Sequence, residues 1–429
     1  MSKLIIQWWI PLHWTINPVP NKNSILKLIP ATLLADDIVT IHNVPHTSDV
    51  EYMLQILEQL GGKIQRLNKN TLEIDATTVN TYQLDPELME KMKSWTLFSG
   101  PLLQKFGKVV MPNPQGCKLG TRPMDVFIEN MVNMGASYTY KDGAYIIQAK
   151  ELQGTEVRQW FPSVTGTENL ILLAVKAPGT TIIYNAACEP HTQDLCNMLV
   201  SMGAHIEGIG SNRLIIHGVA NLKGTTRTVI SDHLDVAGMI GAAVMTNGEI
   251  TITNAIIPHM HGILQVYEKL GVKVQLNEAQ DTIHIPAEQE LRIQKTIKGN
   301  PLRVHALQWP QLPPDFVHSM AVVALKADGQ AIFDNLFYEY GRFFIEELAK
   351  MKANVIMANP VTIITNGPTK FKPANLVCSD IIQASYGLLL AALSAPGTST
   401  LHAIKPLFRR FPNFVEQFTS LGWQLTLEE

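Results

Sequence analysis

The chain repeats itself, and the repeat restricts what it can fold into more than any other feature. One phrase runs "LKLIPATLLADDIVTIHNVPHTSDVEYMLQILEQLGGKI" from Leu26 and returns as "LILLAVKAPGTTIIYNAACEPHTQDLCNMLVSMGAHI" from Leu170. It recurs in "MIGAAVMTNGEITITNAIIPHMHGILQVYEKLGVKV", "MAVVALKADGQAIFDNLFYEYGRFFIEELAKMKANV" and "LLLAALSAPGTSTLHAIKPLFRRFPNFVEQFTSLGWQL". A degenerate sixth copy is "LFSGPLLQKFGKVVMPNPQGCKLGTRPMDVFIENMVNMGASY". Each copy reads as a small-residue apolar helix, a Gly or Asp turn, and a short β-rich strand such as "TTIIYNA". An amphipathic helix follows, apolar at i, i+3, i+4 and i+7 and ending near "LG" or "MG", and another strand closes the unit. The period is roughly 70 residues, longer than the solenoid repeats of about 20–50. Six such units predict two lobes of three.

Composition agrees with a well-filled globular α/β protein. The chain has 429 residues, 46% apolar and 17% charged, and about 150 residues per domain would make two or three domains. A net charge of −3 argues against a global nucleic-acid surface, while leaving room for a local cationic pocket that takes an anionic small molecule. The four cysteines, Cys117, Cys188, Cys196 and Cys378, are scattered, with no zinc spacing and no disulfide framework. His259 and His261 look like a ligand pair, yet no carboxylate or third histidine stands at metal spacing, so no metal site is expected. The apolar N-terminal stretch "LIIQWWIPLHW" is interrupted by Gln7 and Pro11 and is not read as a signal peptide. No apolar run reaches the ~18 residues of a membrane span. The expectation is a reduced, cytoplasmic enzyme or binding protein.

Several strings are more specific: "NKNSILKLIPATLL", "GPLLQKFGKVVMP", "GCKLGTRPMD", "SVTGTENLILLA", "NAACEPHTQDL" and "APGTT". Through them the chain resembles the enolpyruvyl transferases, over nearly its whole length. The Lys22-Asn23 pair and the Gly-Cys-x-x-Gly-x-Arg-Pro loop carry most of the likeness, and they point to the branch acting on UDP-N-acetylglucosamine rather than the phosphoshikimate branch. The resemblance implies a two-lobed inside-out α/β barrel of six βαβαββ-type repeats. One lobe would span residues 21–230 and the other residues 1–20 plus 231–429, with substrates bound between lobes that close over them. It implies transfer of the enolpyruvyl group of phosphoenolpyruvate to the 3-hydroxyl of UDP-N-acetylglucosamine with release of phosphate, a step of peptidoglycan precursor synthesis. No cofactor, nucleic acid or membrane is implied, and the oligomeric state is left open.

The resemblance also assigns roles. Lys22 would hold phosphoenolpyruvate, Asn23 would orient the sugar, and Arg122 would bind the phosphate. Asp125 would border the uridine, and Ser163, Val164 and Thr165 would contact the nucleotide, although these hydroxyls also suit a helix cap. Asp315, in "WPQLPPDF", would accept the proton of the sugar hydroxyl; an N-cap aspartate after Pro-Pro is the competing reading. Cys117 would donate a proton during phosphate release and can take up phosphoenolpyruvate covalently, its thiolate favoured by Lys118 and Arg122. Glu189 reads equally as a lobe-interface or a turn carboxylate. Arg342 and Arg409 keep family arginines.

Other positions depart from the pattern. Lys93 stands where an arginine is expected and loses the bidentate fork. Asp232-His233 replaces Asp-Arg, and Gln383 replaces the arginine of an Asp-(Leu/Ile)-Arg-Ala string. "RRFP" replaces "RGYE". These losses leave two alternatives open: a different nucleotide or sugar acceptor, or a non-catalytic UDP-sugar-binding paralogue.

Overall fold

The small-residue segments of the repeated phrase become helices buried on every side. The computed structural model describes residues 2–7, 13–112, 124–337 and 341–428, and the chain divides into two compact units, Met1–Val19 with Ser231–Glu429 and Pro20–Ile230.

In the first unit, helix His233–Thr246 has no exposed residue. Its sequence, "HLDVAGMIGAAVMT", has no continuous polar face, and a helix apolar all round must be covered all round. The Asp232 carboxylate accepts from the Leu234 N–H at 2.9 Å and starts the helix, and Asn247 ends it in the left-handed region at φ 54°. Helices Val317–Lys326 and Ile382–Leu393, of similar composition, pack against it and against each other. Around them lie three four-stranded sheets, each a parallel pair extended by antiparallel strands. In one of them Lys3–Gln7 runs between Thr398–His402 and Gln424–Glu428, with Leu4 opposite Leu401 and Leu427. Leu4 and Ile6 point inward while Ile5 between them is half-buried, the period-two alternation of a one-sided sheet.

The second unit repeats the plan. Helix Val164–Ala174 packs against Ser99–Phe106 and Pro190–Ser201, and the latter packs on Lys22–Ala31. Two four-stranded sheets and a three-stranded antiparallel one cover them. Helices inside and sheets outside make each unit an inside-out α/β arrangement. The hydrophobic residues at its centre, such as Ile25, Leu28 and Leu172, are fully buried, and each contributes roughly 1.5–3 kcal/mol.

The "LG" and "MG" punctuation has a backbone reason. Gly61 (φ +99°) and Gly203 (φ +108°) end their helices in a region that side chains rarely adopt. In "KMKANV" the positive φ falls on a side-chain-bearing residue, Lys352, at +64°. No helix among the described residues is long and apolar enough to cross a membrane.

Candidate active site

In the second unit, Lys22 opens the helix Lys22–Ala31 rather than lying in a loop. Asn21 caps that helix by accepting from the Ser24 N–H at 3.0 Å. The Ser24 hydroxyl donates to Asp194, and the Arg227 Nε–H reaches the same carboxylate at 2.9 Å. The helix start is therefore tied to a neighbouring helix and strand, and this fixes the direction of Lys22 and half-buried Asn23. The Lys22 ammonium meets the Asp49 carboxylate at 2.8 Å, both nearly buried.

One turn further along, Lys27 is buried opposite Glu168 at 3.7 Å. Burial pushes Glu168 up to about 7 against the pull of Lys27, and burial pushes Lys27 down despite Glu168. His191 and Thr192 also face Glu168, at 3.6 and 3.1 Å.

The other expected groups of this unit lie at element starts. Ser163 caps helix Val164–Ala174 by accepting from the Gly166 N–H at 3.2 Å, and Val164 and Thr165 begin that helix, all three half-buried. Asp125 is the exposed first residue of helix Asp125–Asn133. Half-buried Lys93 precedes the short helix Ser94–Phe98, and Glu189 stands at the start of Pro190–Ser201. Cys117 and Arg122 lie outside the described residues.

In the first unit, Asp315 sits in the one-turn segment Pro314–Phe316, and helix Val317–Lys326 has no side-chain cap. The carboxylate, 31% exposed, is thus engaged elsewhere. Gln383, in the first turn of Ile382–Leu393, donates to Asp315 Oδ1 at 2.7 Å. The Arg410 guanidinium lies 3.6 Å from Asp315 Oδ2 and donates to both oxygens of buried Asp232, at 3.2 and 3.1 Å. Asp315, Gln383 and Arg410 line a small cavity with Leu234, Ser319 and Tyr386.

Protonation around the cavity follows from burial. Desolvation holds His233 down to about 4, outweighing Asp232, so it is neutral at pH 7. Desolvation raises Asp235 to about 7, although its Oδ2 accepts from the Val19 N–H at 2.8 Å. Burial opposes the charge of Arg410, and Asp232 followed by Asp315 more than restores it.

Arg409 is exposed, and Arg410 beside it reaches the Asp232 and Asp315 carboxylates. Arg342 is the exposed first residue of helix Arg342–Lys350. Arg410, Asp49, Asp194 and Asp235 escaped the sequence reading. The arginine doublet of "RRFP" was the available signal for the first; the aspartates lie in ordinary helices. The remaining thiols are poor nucleophiles, since burial lifts Cys188 and Cys378 to about 11 and Cys196 to about 12.

Residues 10–418 match the EPSP synthase family (3-phosphoshikimate 1-carboxyvinyltransferase). The chain is 36% identical over 435 residues to a UDP-N-acetylglucosamine 1-carboxyvinyltransferase of Bacteroides thetaiotaomicron, covering 99% of this chain and 100% of that one. It is 36% identical over 411 residues to the enzyme of the same name from Bradyrhizobium diazoefficiens, covering 96% and 94%. Among solved structures it is similar to the enolpyruvyl transferase NikO from Streptomyces tendae, with TM-score 0.86, 20% identity, and coverage of 99% and 98%. It is also similar to an EPSP synthase from Acinetobacter baumannii, with TM-score 0.79, 18% identity and complete coverage of both chains. At those identities the structural likeness speaks to the fold.

Proposed function

This chain is an enzyme of the EPSP synthase family, the enolpyruvyl transferases, and from that premise we propose that it transfers the enolpyruvyl group of phosphoenolpyruvate to the 3-hydroxyl of UDP-N-acetylglucosamine. The observation that carries the choice of acceptor is the end-to-end likeness to relatives named for 1-carboxyvinyl transfer to that sugar nucleotide. The reaction supplies a peptidoglycan precursor, and its setting is the cytoplasm.

Asp315 is the general base. It is partly exposed, accepts one hydrogen bond from Gln383 and faces the Arg410 cation, so it can accept the hydroxyl proton as the sugar oxygen bonds to C2 of phosphoenolpyruvate. The methylene carbon takes up a proton from an acid of the site in the same addition. The tetrahedral adduct then returns a methyl proton to the conjugate base of that acid and expels phosphate, which takes a proton from Cys117. Lys22, Lys93, Arg122 and Arg409 answer the charge of the phosphate and carboxylate, arginine by its planar fork and lysine as a point charge. Asn23, Asp125, Ser163, Val164 and Thr165 address the sugar nucleotide, and Arg342 belongs to the same set. Domain organisation follows the six-repeat plan, with residues 21–230 in one lobe and the remainder in the other.

A second reading keeps the chemistry and changes the acceptor. It is favoured by Gln383 and by a neutral His233 beside Asp232, both where the family pattern has arginine. A phosphate-release assay with phosphoenolpyruvate and a panel of nucleotide sugars decides between them. Release with UDP-N-acetylglucosamine at a rate well above every other acceptor is expected. Release with a different sugar nucleotide, and none with this one, overturns the first reading.

A further inference from the structure

Two separate chain segments grip the Asp315 carboxylate, one on each oxygen. Gln383 donates to Oδ1 at 2.7 Å. Arg410, from the segment after the short helix Lys405–Phe408, approaches Oδ2 at 3.6 Å. Arg410 is itself anchored, because the same guanidinium binds both oxygens of Asp232, the residue that caps His233–Thr246. Its side chain is only 10% exposed, and its guanidinium carbon lies over the Phe411 ring, 5.8 Å from the centroid. A planar fork held at one end by a buried carboxylate is a fixed object. His233 contributes no cation here, being buried and neutral. Asp235 and Tyr386 are other titratable groups nearby, and neither can carry a positive charge.

We propose that Arg410 is a positioning residue for the transfer reaction: braced on Asp232, it sets the orientation of the Asp315 carboxylate together with Gln383. The inference rests on the role of Asp315 as base in the reading above. Arg410 acts through Asp315, so its loss lowers turnover while substrate capture is largely kept. A misplacement of about 1 Å in such a group costs on the order of 10²-fold in rate. The guanidinium can be moved rather than deleted, because position 383 already touches Asp315.

The test is steady-state kinetics of Arg410→Gln, Arg410→Lys and Arg410→Gln/Gln383→Arg, with the acceptor that the wild-type enzyme turns over fastest in the panel above. Failure of the acceptor assignment then shows in the wild type and leaves the comparison among variants intact. Arg410→Gln is expected to lower kcat about 100-fold with KM for both substrates little changed. Arg410→Lys should fall between it and the wild type, and adding Gln383→Arg should recover about tenfold. Should the single variant not fold with Asp232 left buried, Asp232→Asn/Arg410→Gln removes both charges and is measured in its place. A crystal structure of the folded variant should find Asp315 turned away from Gln383. Unchanged kcat, or a rise in KM alone with Asp315 unmoved, overturns the proposal.

Discussion

Gln383 Nε2 donates to Asp315 Oδ1 at 2.7 Å across 68 residues of chain. The contact turns the Asp315 carboxylate without neutralising it, which suits a proton acceptor. Asp315→Asn keeps an oxygen for Gln383 and nearly the same volume, but it cannot take a proton. We expect kcat to fall by about 10²–10⁴-fold, with sugar-nucleotide affinity by calorimetry unchanged. Near-normal turnover in the folded variant would remove Asp315 from the role of base.

Lys22 and Asp49 form a nearly buried pair at 2.8 Å, so substitutions there have two separable consequences. Lys22→Met should raise KM for phosphoenolpyruvate by roughly tenfold or more, the scale of a lost charge-assisted bond, and should also lower Tm because Asp49 loses its cation. In Lys22→Met/Asp49→Asn the KM defect should persist while most of the Tm returns. A double variant that regains its phosphoenolpyruvate affinity would show that Lys22 serves only the fold.

The thiols should separate sharply in reactivity. Cys188, Cys196 and Cys378 are held near 11, 12 and 11, chiefly by desolvation, and carry little thiolate at neutral pH. Cys117 lies outside the described residues, in the Gly-rich basic stretch "NPQGCKLGTRP". Brief treatment with a thiol reagent followed by peptide mass mapping should find it modified first, at a rate changed by prior addition of the sugar nucleotide. Faster labelling of any other cysteine would count against its proposed role.

Asp235 makes stability depend on pH. Its carboxyl is fully buried and raised by desolvation from 3.8 to about 7. Between those values the unfolded chain has already released the proton and the folded chain has not. The stabilisation is therefore complete below about pH 4 and is lost as pH rises through about 7, by roughly 4 kcal/mol from a shift of this size. Asp235→Asn can still accept from the Val19 N–H and has nothing to ionise. Thermal melts should show the variant gaining on the wild type between pH 5 and pH 8. A Tm difference that is flat across that interval would mean that Asp235 is ionised in the folded protein at the lower pH.

Much of the fold was legible because its cause is local. Strings such as "VAGMIGAAVM" and "YGLLLAAL" have no continuous polar face, and burial on all sides follows from composition. The "LG" and "MG" punctuation announced positive φ at Gly61 and Gly203. Ser163 was legible as a cap from its place before "VTGTENL". Asp315 was harder, since Pro-Pro-Asp before an apolar run reads as a cap, and here the carboxylate turns to Gln383 and Arg410 instead.

By itself the sequence determined the periodic elements, the apolar segments and the chemical inventory, because backbone propensity and side-chain period act over a few residues. That Arg410 meets the Asp232 carboxylate was decided only by tertiary structure. Nothing within "RRFP" announces it. Asp232, 178 residues away in sequence, lies buried within reach of the Arg410 guanidinium, and a buried carboxylate requires a paired cation. The neutrality of His233 and the raised pKa of Asp235 have the same origin. The charge state of a buried group is set by how much water the folded chain excludes around it, and no short stretch of sequence contains that quantity.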